Sequence, residues 1–185
     1  MMRPGLAAAV VALLAAVPLA GQSVASRVDM VRSGTVELVF PSRPNVCGDG
    51  HGSIWTTDHG DGWSDRPCIH GPVRVTLVRD GGRTVSARSC IACPARAIAD
   101  ATTIEAGADD AARYLLTVAR SLSGSSADHA ISAAAFADAT DLSPEFVRFA
   151  RDDRATIAAR RHAMFWLGQI DDSTAVRFFR DVLTR

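Results

Sequence analysis

The sequence predicts an α+β chain: a small antiparallel β unit followed by a short stack of paired helices. Three observations point there. Up to about residue 105, apolar residues alternate with polar ones in short runs bounded by Gly and Pro, the period of a half-buried strand. From Ala108 onward the period changes to that of an amphipathic helix. Within the helical half, Val147-Arg148-Phe149-Ala150-Arg151-Asp152 recurs about 30 residues later as Val176-Arg177-Phe178-Phe179-Arg180-Asp181.

The first segment reads as a leader. Arg3 supplies positive charge, residues 6–20 are uncharged and apolar, and Ser23-Val24-Ala25 offers a cleavage pattern before Ser26. Cleavage after Ala20 is the alternative. The run is too short to span a bilayer and contains Pro18, so a secretory signal over 1–25 is expected rather than an anchor. No cysteine lies at the cleavage region, which argues against a lipid anchor. No later apolar run is long enough to span, so the expectation is an exported chain, periplasmic or secreted, with no membrane span after processing.

Residues 26–105 form the expected β module. Thr35 to Phe40 reads as a strand stopped by Pro41 and Pro44. Residues 72–79 and 83–88 flank Asp80-Gly81-Gly82, a hairpin signal. Thr102 to Ile104 is a further short strand. Export makes Cys47, Cys68, Cys90 and Cys93 candidates for disulfides. Four cysteines allow three pairings; Cys47–Cys68 with Cys90–Cys93 is favoured. The first would close a loop worth about 3 kcal/mol. Cys90 and Cys93 also carry the C-x-x-C spacing of a thiol–disulfide oxidoreductase, with Pro94 able to start a short helix from Ala95 to Asp100.

Residues 47–68 are rich in Gly, Asp and His and include Trp55 and Trp63. Asp58, Asp61 and Asp65 are hard oxygen ligands for calcium, but their spacing is not that of an EF-hand loop. A solvated loop closed by a disulfide is the plainer expectation, and no metal site is assigned. His70 reads as an ordinary surface histidine.

Residues 106–185 hold five expected helices: 111–122, 126–139, one starting at Ser143-Pro144 and running through Ala150, 155–169 and 173–183. Leu115, Val118, Ala119 and Leu122 share one face. Ser126, Ser143 and Ser173 are expected caps. On the last helix Val176, Phe179, Val182 and Leu183 are expected to pack inward and Phe178 to point outward. His162 is expected to be exposed beside Arg161, and of the run Met164-Phe165-Trp166 one residue is expected to face solvent.

Arg160, Ala163, Leu167-Gly168, Asp171-Asp172, Ala175-Val176, Phe179 and Leu183 closely resemble a HEAT-like repeat of the short, phycobilisome-lyase type. The resemblance covers residues 158–183. The preceding unit, 126–153, is degenerate, with Asp138-Ala139 where Leu-Gly should stand. It implies a short α-solenoid and a protein-binding scaffold. Gly168 would then allow two helices to approach and help end one of them. Some relatives of this type act on bound chromophores, an activity one unit does not carry.

Composition narrows the function. The chain has 185 residues, 20 basic and 20 acidic, with 48% apolar residues. Balanced charge argues against a nucleic-acid coat, and the apolar content argues against disorder. No nucleophile elbow, zincin, P-loop or dinucleotide motif is present, so no catalytic residue and no cofactor are assigned. The expected function is an exported, non-enzymatic protein-interaction module. Its surface would include Phe178, Trp166 and Arg161, for an unidentified protein partner or a second copy. The alternatives are a thiol–disulfide redox protein using 90–93 and a metal- or ligand-binding protein using 47–68.

Overall fold

The computed structural model describes residues 22–57, 68–94, 100–170 and 172–184. The first elements are α1 (Val24–Asp29), β1 (Gly34–Phe40), β2 (Val46–Gly48) and β3 (Ile54–Thr56). Then come β4 (Val73–Asp80), β5 (Arg83–Ile91) and β6 (Thr102–Glu105). The helical half is α2 (Ala108–Ala119), α3 (Gly124–Phe136), α4 (Ser143–Ala150), α5 (Ile157–Leu167) and α6 (Ser173–Leu183). The chain is therefore α+β. No described helix is long and apolar enough to cross a membrane.

Four strands form one sheet in the order β5-β4-β1-β6. β4 and β5 are the expected hairpin; Gly81 at φ +54° and Gly82 at φ +81° supply the left-handed turn. β1 lies antiparallel to β4, with Val36 opposite Leu77 and Leu38 opposite Val75. The expectation of a purely antiparallel sheet fails at one edge. β6 runs parallel to β1, with Leu38 beside Ile104. The chain leaving β5 passes β4 and β1 to reach the far edge, so no hairpin sets the direction of β6. β2 and β3 make a separate antiparallel pair.

Burial alternates along β4: Val73, Val75 and Leu77 point into the core, while Arg74 and Thr76 are partly exposed. That inner face and the helices share one apolar core, which runs from Val24 to Phe178. Elements on either side of residue 105 therefore contribute to one core. Small residues fill α3: Ala130, Ala133, Ala134 and Ala135 are all buried where the helix lies against α2, α5 and β5.

α1 was not anticipated. Ser23 caps it by accepting from Ser26 N. Val24 is 1% exposed, Val28 is fully buried, and Val24 N donates to Asp110 Oδ2 at 2.7 Å. The expected boundary after Ala25 falls inside this helix. Arg79 fastens the same segment. Its buried guanidinium donates to Val31 O, Gly82 O, Thr84 Oγ1 and Asp29 Oδ1 at 2.8–3.2 Å. Every contact answers the cost of burying the charge.

The helix ends differ from expectation by a few residues. Leu142, not Ser143, is the cap of α4, and Ser143 is buried within the helix. Asp172 rather than Ser173 caps α6, accepting from Thr174 N at 3.1 Å. Ser123 stands at the start of α3, not Ser126. Gly168 ends α5 at φ −69°, and a Cβ there would meet only ordinary contacts. Neither a left-handed cap nor a close helix approach explains that glycine.

Candidate functional site

The cysteines pair as favoured: Cys47–Cys68 with Cα atoms 5.3 Å apart, and Cys90–Cys93 at 5.9 Å. Backbone contacts bring the two bridges to one end of the sheet. Gly48 and Ile69 exchange both N–H···O bonds at 3.0 Å. A Cβ on Gly48 would lie 2.9 Å from the Ile91 carbonyl, so β2 packs tightly on the end of β5. Ala92, held at φ +55°, donates its N–H to Pro72 O and crowds Gly71.

The two sulfurs of the longer bridge sit differently. Cys47 on β2 is fully buried, whereas Cys68 is exposed. Beside Cys68 stands His70. Its Nδ1 lies 3.1 Å from Val46 O and its Nε2 3.7 Å from Cys68 Sγ. A carbonyl only accepts, so Nδ1 carries hydrogen and Nε2 of the neutral ring turns its lone pair toward the sulfur. Sequence reasoning passed over this residue because Val46 is distant in the chain. The C-x-H spacing of Cys68 and His70 was the available signal.

The metal reading gains nothing from the described residues. Asp58, His59, Asp61, Trp63 and Asp65 lie outside them. Asp49 Oδ1 accepts from the N–H groups of His51, Gly52 and Ser53 at 2.8–3.0 Å. Hydrogen bonds, from Ser53 first and then His51, pull its carboxyl down to about 2. Asp49 shapes a turn. No group of three metal-ligating side chains occurs among the described residues. Of the helix expected after Pro94, residues 95–99 also lie outside the description.

The expected interaction residues separate. Phe178 is a correction: it is 3% exposed, edge-on to Phe179, with the Arg151 guanidinium 5.3 Å from its ring centre. α6 is rotated so that Ala175 and Phe178 face the core and Phe179 is half-buried. Val176, Val182 and Leu183, expected inside, are 55%, 49% and 85% exposed. The inward face is narrow because α6 leans mainly on α4. Arg161 is exposed as expected. Trp166 is half-buried, its ring edge-on to Phe136 at 4.8 Å, and Phe165 is the exposed member of its run at 56%.

Trp166 belongs to a polar cluster between α3 and α5. Its Nε1 donates to Ser132 Oγ at 3.0 Å and His162 Nε2 at 3.1 Å; those two atoms are 2.8 Å apart. His162 is thus half-buried rather than exposed, and burial holds its pKa below the ordinary histidine value against the opposing pull of Asp128. Nearby, Ser89 Oγ lies 3.0 Å from His129 Nδ1, and burial first, then Arg88, lowers that imidazole too. Burial disfavours the charged form of both rings. No protein-family model, curated protein or solved structure matches the chain.

Proposed function

We propose that this is an exported protein-interaction module whose contact surface is the outer side of α6, and that its occupant is a second copy of the chain. The carrying observation is the pair of exposed apolar side chains Val176 and Leu183, seven residues apart and so on one outward face of the helix. Exposed Arg177 and Arg180 stand on the same helix as Asp181, which pairs with Arg151 Nη2 at 3.5 Å within the chain. A two-fold dimer through this face would place charges of both signs around an apolar centre, a self-complementary pattern. HEAT-like stacking of α2 to α6 is part of this reading, supported by the repeated residues 147–152 and 176–181. Export is supported by the leader pattern and by two disulfides among the described residues. Processing after Ala20 rather than Ala25 would leave α1 whole.

Light scattering over a range of concentrations tests the surface. Wild type is expected to dimerise, and Val176→Asp with Leu183→Asp to return it to monomer with unchanged far-UV circular dichroism. A wild type that stays monomeric throughout, or a dimer indifferent to both substitutions, sinks the proposal.

A further inference from the structure

Beyond that reading, we infer that Cys47, Cys68 and His70 form a thiol–disulfide exchange site, its partner being an exposed dithiol or disulfide of another protein. The inference rests on three placements. One sulfur of the bridge is reachable and the other is not, because Cys68 is exposed and Cys47 is fully buried. An incoming thiolate therefore meets Cys68 Sγ alone. An imidazole nitrogen lies 3.7 Å from that same sulfur. The ring is fixed by its other nitrogen on Val46 O at 3.1 Å, so it cannot turn away without leaving that carbonyl. Val46 precedes Cys47 on β2, so one strand holds both the buried sulfur and the anchor of the base.

The Cys90–Cys93 bridge lacks this arrangement among the described residues. The Cys90 sulfur lies 3.8 Å from the Ile91 carbonyl, an acceptor that cannot stabilise a thiolate. Among the described residues the arrangement thus belongs to the longer bridge, which carries no short motif.

The exchange balances with the chain's own disulfide as oxidant. A partner thiolate attacks Cys68 Sγ; the Cys47–Cys68 bond breaks, and Cys47 leaves with the electron pair and takes a proton. A mixed disulfide now joins Cys68 to the partner. The partner's second thiolate attacks its own first sulfur, forming the partner's disulfide and expelling Cys68. His70, protonated, stabilises the departing thiolate through Nε2–H. Two thiols of the partner become one disulfide, and the chain gains two electrons and two protons. In reverse, the neutral ring accepts the Cys68 proton, Cys68 attacks a partner disulfide, and Cys47 resolves the mixed species. His70 touches the reacting sulfur and is a catalytic residue in both directions.

Two measurements on the full chain test this. Oxidised protein is treated with substoichiometric dithiothreitol, trapped with iodoacetamide and read by peptide mass spectrometry. Cys47 and Cys68 are expected to be labelled before Cys90 and Cys93. In the reduced protein, iodoacetamide is expected to modify Cys68 at pH 6 about tenfold faster in wild type than in His70→Asn. Asparagine keeps a donor for the Val46 carbonyl and removes the nitrogen facing sulfur. Should His70→Asn not fold, the comparison moves to wild type alone. There the Cys68 rate profile must lie at least about one pH unit below that of Cys90. Earlier opening of Cys90–Cys93, or a Cys68 profile no different from its reference, overturns the inference.

Discussion

α3 and α6 are similar in length, 13 and 11 residues, and opposite in surroundings. α3 is wrapped by α2, α5 and β5 and buries seven residues. α6 leans mainly on α4 and buries two. The more amphipathic sequence is that of α6, yet it is the less covered helix. Amphipathicity reports how many sides a helix has to hide, not how well it is held: α3 is apolar almost all round because it has neighbours almost all round.

The largest effect should come from the wrapped helix. Ile131→Ala leaves a cavity that α3 cannot close, at about 4 kcal/mol, read as a lower urea midpoint at unchanged slope. Phe178→Ala should cost less, about 2 kcal/mol, because the rim of α6 can relax inward. Equal losses would show that α6 is held as firmly as α3. The smallest effect is a slope in pH. An unfolded histidine binds its proton near 6.5, but His162 in the fold binds it only at lower pH. Between those values the unfolded chain carries more protons, so stability is full above about 6.5 and declines as pH falls through that window. His129 adds the same sign. His162→Gln should flatten the decline; an unaltered slope would mean the α3–α5 contact does not exclude water.

Much of this was readable from residue order. The hairpin followed from Asp80-Gly81-Gly82, the cysteine pairing was favoured correctly, and all five predicted helices exist within a few residues. What was hidden depended on distant partners. α1 is short, and its burial rests on Asp110 and Arg79, far along the chain. The rotation of α6 was misread because its apolar set at 176, 179, 182 and 183 looks as inward as any other; only the position of α4 decides. His70 was invisible as a site for the same reason, its anchor being a carbonyl on β2.

Among the described residues β6 is an edge strand of the sheet, only four residues long. There the Arg27 Nη1 donates to the Glu105 carbonyl at 2.6 Å, plugging one position where a foreign strand would bond. The helix that carries Arg27 forms from the earliest described residues but docks on the middle of the chain. Until it docks, that edge stands open to ribbon-to-ribbon aggregation, so recovery from denaturant should favour dilute protein.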